Sequence, residues 1–123
     1  MKNLVSFGKL ISDPTRLKII KLLSTQSMCV CELMEVLRMN QPCISQHLTI
    51  LKYRNLLNSR RDGKWIVYEI NRKALGEYLS NLNGFLKDSL SGLAELKTEY
   101  KRLKSLGKRG LLCERLLKGC KKS

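Results

Sequence analysis

Two cysteines one residue apart, in the run Met28-Cys29-Val30-Cys31-Glu32-Leu33, are the side chains best suited to chemistry. Thiolates are soft donors that select thiophilic ions. Side chains at i and i+2 do not share a helix face, so an ion that grips both sulfurs has to bend the segment that carries them. The same pair also fits a plainer role as small buried hydrophobes, which is common for free cysteine. The chain holds 5 cysteines. An odd count with a Cys-x-Cys pair suits free or metal-bound thiols in a reducing compartment better than a disulfide framework. With a single histidine, His47, no glycine-rich phosphate loop and no acid and base pair, the sequence offers little to an enzyme.

The charge points to a partner. Lys and Arg number 24 against 10 Asp and Glu, a formal +14, which exceeds what solubility needs and attracts a polyanion such as nucleic acid. Anionic lipid is the competing partner on charge alone. No apolar run approaches the ~18 residues of a membrane span, and the opening MKNLVSFGKLISDP carries charge where a secretory core is uninterrupted, so a cytoplasmic protein is expected. A chain of 123 residues predicts one compact domain, and its leucine-rich, aromatic-poor content leans toward helices.

Elements that position these residues follow from periodicity. Leu4, Val5, Phe7, Leu10 and Ile11 predict a short amphipathic helix over 3–11. Asp13 can cap a second helix over 14–24 with Pro14 at its first position, burying Leu17, Ile19, Ile20, Leu22 and Leu23. After a loop at Thr25 to Met28, Leu33, Val36 and Leu37 predict a third helix from about Val30 to Arg38, with both thiols at its entrance. Asn40 and Pro42 open a fourth whose apolar positions Ile44, Leu48 and Leu51 recur at i, i+4 and i+7, which turns Gln41, Ser45, Gln46 and Thr49 elsewhere. Arg60, Arg61, Asp62, Gly63 and Lys64 form the basic tip of a two-stranded hairpin that continues through Trp65, Val67, Tyr68 and Ile70, and Trp65 with Ile66 lets it lean on the helices. From Lys73 to about Leu103 the registers Leu79, Leu86, Leu93, Tyr100 and Leu75, Leu82, Leu96, Leu103, interrupted at Ser89, predict a long helix with an apolar seam. So long a seam on so small a domain calls for a second copy, although packing within the monomer, with a break at Asn83-Gly84, fits as well. The tail is strongly basic and reads either as an amphipathic helix or as a disordered arm.

A short helix, a three-residue turn, a polar-faced helix and a basic hairpin make a helix-turn-helix with a wing, a fold that reads duplex DNA in the major groove. In CVCEL, QPCISQHLTILK and DGKWIVYEIN, preceded by DPTRLKIIKLL, the chain resembles the ArsR/SmtB family of winged-helix metal-sensing repressors over residues 4–80. The resemblance implies a mainly α fold with a small β-hairpin, a homodimer through terminal helices, a DNA-binding and dimerisation domain over 1–104 and a basic, cysteine-bearing tail over 105–123. It places Gln41, Ser45, Gln46 and Thr49 against base edges or phosphates, and Arg60, Arg61 and Lys64 on phosphates or in the minor groove. His47 matches the family's Ser-x-His-Leu signature as a DNA contact, and also fits a packing histidine. Cys29 and Cys31 become the ligands of an inducer, As(III) or Sb(III) first and Cd(II), Pb(II) or Zn(II) behind, whose binding releases operator DNA.

The sequence departs from the family's arsenic site at Met34, where a third cysteine is usual; Cys43, Cys113 and Cys120 remain as unranked third ligands. No histidine follows His47, which argues against the family's other zinc site on the C-terminal helices. Two other functions compete: a thiol redox or persulfide sensor of the same fold, and an architectural nucleic-acid binder that exploits the charge alone.

Overall fold

Helix α1 (Lys2–Ile11) turns Phe7 and Leu10 inward and stops at Ser12. The structure, a computed structural model, describes residues 1–107; Cys113, Cys120 and most of the basic tail lie outside the described residues. Asp13 then starts α2 (Pro14–Thr25) as expected: its Oδ1 accepts from the amides of Thr15 at 2.8 Å and Arg16 at 3.1 Å, with Pro14 following at the first helical position. Arg16 locks the corner by donating from Nε to the Leu10 carbonyl at 2.7 Å. Ile19, Ile20 and Leu23 are the buried side of α2, whereas Leu17 stays exposed.

Strand β1 is a two-residue piece, Met28–Cys29, absent from the expected hairpin. It is followed by α3 (Val30–Leu37), α4 (Gln41–Tyr53), β2 (Leu57–Asp62) and β3 (Trp65–Ile70). The antiparallel sheet runs β1-β3-β2, with Cys29 opposite Val67 and Leu57 opposite Ile70. The wing is thus a three-stranded sheet that carries the segment before α3 as its third strand. Alternation cannot show over two residues, which hides β1 from any pattern reading.

Leu33, Ile44, Leu48, Leu51, Leu56 and Leu57 are fully buried and fix α3, α4 and the start of the wing on one core. Each such side chain contributes about 1.5–3 kcal/mol relative to exposure. The expectation that the wing leans on the core through Trp65 and Ile66 is corrected. Both are exposed, at 48% and 41%, and Leu57, Tyr68 and Ile70 make that contact instead. Tyr68 and Ile70 lie two residues apart on the inward face of β3, while Trp65 and Ile66 at its start lie beside the head of α3. The turn Asp62-Gly63-Lys64 needs a left-handed residue, and Gly63 supplies φ +62°.

Helix α5 spans Arg72–Lys87, started by Asn71, whose Oδ1 accepts from the Ala74 amide at 3.2 Å. Tyr78 stacks on Phe7 with ring centroids 4.7 Å apart. The long helix expected from Lys73 to Leu103 is corrected: two 3₁₀ turns, Leu90–Gly92 and Ala94–Leu96, precede α6 (Lys97–Gly107). The interruption falls at Asp88-Ser89 and Ser91-Gly92, where weak helix formers cluster, and not at Asn83-Gly84. Ser89 is extended (φ −68°, ψ 144°) and its hydroxyl pairs with that of Ser91 at 2.8 Å. The chain divides into units at Gly84 and Phe85. Among the described residues no helix is long and apolar enough to cross a membrane.

Candidate functional site

Asn40 caps α4 as the sequence implies, its Oδ1 accepting from the Cys43 amide at 3.1 Å, and Pro42 sits in the first turn. With Ile44, Leu48 and Leu51 sunk at 0–1% exposure, the helix cannot rotate. Gln41, Gln46 and Thr49 are therefore exposed and Ser45 half-buried on the opposite side. Lys52 Nζ donates to Ser59 Oγ at 2.6 Å and ties the end of α4 to β2. The preceding turn is made at Arg38, which takes the left-handed conformation at φ +57°, a costly one for a residue with a β-carbon.

On the wing, Arg60, Arg61 and Lys64 are all exposed. Arg60 is shared with Asp62 at 4.0 Å and Glu69 at 3.8 Å, and Lys64 Nζ lies 5.5 Å from the Trp65 ring centroid. Arg61 carries no ion pair among the described residues. Exposed pairs such as those of Arg60 contribute little, so they leave its guanidinium available to a phosphate.

His47 stands apart from this set. It is half-buried, and its Nδ1 is shielded without a hydrogen-bond partner. At the head of α2, the Asp13 carboxyl is held below the usual range first by the Arg16 amide and then by the Thr15 amide, against the opposing effect of burial.

The thiols sit where β1 passes into α3. Cys29 is the residue before the helix: its amide donates to Glu32 Oε1 at 2.9 Å while its side chain receives the Glu32 amide. Cys31 is exposed one residue into α3, and Cys29 is half-buried. Both open on a cleft of about 210 Å³ that is also lined by Val30, Met34, Gln41, Trp65 and Ile66. An adjoining lobe, on the side of Glu32 and Asp62, shares Cys29, Cys31 and Trp65. The thiol pair thus borders the first residue of α4 on one side and the wing on the other. Cys43, exposed on α4, lies outside that lining. Among the described residues no group of three His, Cys, Asp or Glu side chains is placed to hold a metal ion.

Sequence spacing did not bring Trp65 and Ile66 to the thiols, because the contact spans more than thirty residues of chain and passes through β1. A signal was present in the two consecutive large apolar residues just after a basic turn. Only one of two neighbours on a strand can face a core.

Helix α3, its left-handed exit, α4 and the basic strand pair define a winged helix-turn-helix regulator. A profile of bacterial regulatory proteins of the arsR family matches residues 13–59. The chain is 37% identical over 82 residues to the arsenical resistance operon repressor of Staphylococcus aureus, covering 67% of this chain and 79% of that one. It is 44% identical over 68 residues to the repressor of the same description from Escherichia coli K12, covering 54% and 58% respectively. A crystal structure described as "possible transcriptional regulator for arsenical resistance" superposes with a TM-score of 0.58 at 26% identity, covering 65% of this chain and 83% of that one. The chain belongs to the ArsR family of bacterial regulatory proteins. It is a DNA-binding regulator of transcription and not an enzyme.

Proposed function

We propose that the protein is a homodimeric repressor that holds operator DNA through α4 and the wing and lets go when a thiophilic metalloid or metal binds Cys29 and Cys31. As(III) and Sb(III) come first among the inducers, with Cd(II), Pb(II) and Zn(II) behind. Base and phosphate contacts fall to Gln41, Ser45, Gln46, Thr49 and the imidazole of His47, and wing contacts to Arg60, Arg61 and Lys64. Residues 1–104 carry DNA binding and dimerisation, and 105–123 form a basic tail. The exposed Leu79 and Leu82 of α5 suit a helix-to-helix dimer contact.

The observation that carries this reading is the position of Cys29. It is at once the cap of α3 and the strand partner of Val67. Pulling its sulfur toward that of Cys31 costs α3 its cap and strains the β1–β3 ladder, so one event reaches both DNA-reading elements. By linkage, a ligand that disfavours the DNA-bound geometry binds more weakly to the complex by the same factor that it weakens DNA binding.

The test is a fluorescence anisotropy titration on a duplex from upstream of the protein's own gene, with arsenite, antimonite, cadmium and zinc added in turn. Cys29→Ser and Cys31→Ser should bind that duplex like wild type and no longer be displaced. Release of either variant at the wild-type arsenite concentration would remove the α3 thiols from the sensor. Equal affinity for random duplex would instead favour an architectural binder, and release with loss of two mass units after peroxide would favour a redox sensor.

A further inference from the structure

Away from the thiols, the end of α4 meets α1 and α5 around a depression of about 200 Å³. Arg54, the residue that ends α4, and Glu77 of α5 both line it. They carry opposite charge on the walls of one small cavity, yet neither enters an ion pair among the described residues. We propose that this depression binds a small zwitterionic amino acid with an uncharged polar side chain and that the occupied site strengthens operator binding; the second half rests on the reading of α4 as the helix that meets DNA.

The two charges decide the class of ligand. A molecule of one sign that is drawn to Arg54 or to Glu77 is repelled by the other, whereas a zwitterion gives its carboxylate to the guanidinium and its ammonium to the Glu77 carboxylate. Three carboxamides stand beside them: Asn3 of α1, Asn55 after α4 and, one turn beyond Glu77, Asn81. None of these three side chains makes a hydrogen bond among the described residues, so each keeps an acceptor oxygen and an NH₂ group for a ligand. A ligand side chain that both donates and accepts, such as a carboxamide, can use them, and an alkyl chain cannot. Ala74 and Tyr78 supply the firm part of the lining, the first buried and the second stacked on Phe7. Pockets for drug-sized molecules start at about 300 Å³, so the space suits an amino acid and not a nucleotide. The coupling follows from what ends α4. Backbone carbonyls there are already tied, that of Asn55 to Asn71 Nδ2 at 3.1 Å and that of Arg54 to the Tyr78 hydroxyl at 3.4 Å, while the Arg54 side chain is exposed. A ligand that engages this side chain together with Glu77 and Asn81 steadies the exit of α4 before DNA arrives, which leaves less ordering to oppose the complex.

Isothermal titration calorimetry of the full chain with L-glutamine and L-asparagine tests the site without DNA, and anisotropy on the labelled operator duplex, with and without the tighter of the two, tests the coupling. At least one of them should bind with a Kd below about 1 mM. Glutarate and putrescine, each of a single sign, should bind at least about ten-fold more weakly. Arg54→Gln and Glu77→Gln, both at exposed positions, should lose at least about ten-fold in affinity with unchanged circular dichroism. Glu77→Gln should at the same time bind glutarate better than wild type does, because the repelling carboxylate is gone. The bound amino acid should tighten operator binding by about five-fold or more. Binding of neither amino acid, wild-type affinity in both variants, or equal binding of glutarate and putrescine overturns the site. Binding that leaves operator affinity unchanged or lower overturns the coupling. Equal affinity for operator and random duplex overturns the reading of α4 instead, and the calorimetry still decides the site.

Discussion

Helix α4 is 13 residues long and sets Ile44, Leu48 and Leu51 into the core at 0–1% exposure, whereas α3 has 8 residues and a single fully buried side chain, Leu33. Their starts differ in the same sense. An amide oxygen of Asn40 caps α4, and a sulfur, a weak acceptor, caps α3. On the proposed reading, one helix is held where reading DNA demands a fixed face, and its neighbour would be the one moved by a ligand. The proposed sensing would need no separate domain, because α3 already touches α4 and the wing.

The contrast can be broken at its stiff end first. Leu48→Ala should cost about 2–5 kcal/mol of stability, read from urea unfolding followed by circular dichroism, and should abolish operator binding with it. A loss below 1 kcal/mol would mean that α4 is less firmly anchored than its burial implies. On the outward side of the same helix, Gln46→Ala should leave stability intact and reduce discrimination between operator and random duplex by about 1–3 kcal/mol. Arg61→Ala or Lys64→Ala should instead weaken both duplexes alike and reduce the salt dependence of log K by about one unit each.

The caps give a finer comparison. Asn40→Ala should lower stability by about 1 kcal/mol. Cys29→Ser puts a favoured capping residue at the head of α3 and should leave stability unchanged or raise it by about 0.5 kcal/mol. If both substitutions destabilised equally, the two helix starts would not differ as proposed. The smallest effect concerns Asp13. The Arg16 and Thr15 amides hold its folded value below the unfolded one. Its contribution is therefore fully present above the unfolded value of about 3.9 and is lost as pH falls through the lower folded value. Thermal melts of wild type and Asp13→Asn should keep a constant separation down to about pH 4 and converge below it.

Where cap and periodicity agree, the elements could be read before any coordinates. Asp13-Pro14 and Asn40 with Pro42 mark α2 and α4, and the i, i+4, i+7 row of α4 names its buried residues. The Cys-x-Cys pair could be singled out as a candidate for the same reason, being local. Strand β1 was not, since its two residues have meaning only opposite Tyr68 and Val67. Nor was the break after Lys87: heptad counting registers the leucines on either side and is blind to Ser89 and Ser91 bonding to each other instead of continuing a helix. Trp65 and Ile66 were assigned to the core because apolar residues on a short strand usually go there, and the pairing of β3 with β1 set them beside the thiols instead.

Amide hydrogen exchange with and without arsenite, resolved to single residues, addresses the coupling most directly. Ligand at the thiols should change exchange at the β1–β3 pairs Met28–Tyr68 and Cys29–Val67 and over the first turn of α3, while the amides between Ile44 and Leu51 keep their protection. An undisturbed β1 and α3 head in a ligand-bound protein that has nonetheless released its operator would contradict the account.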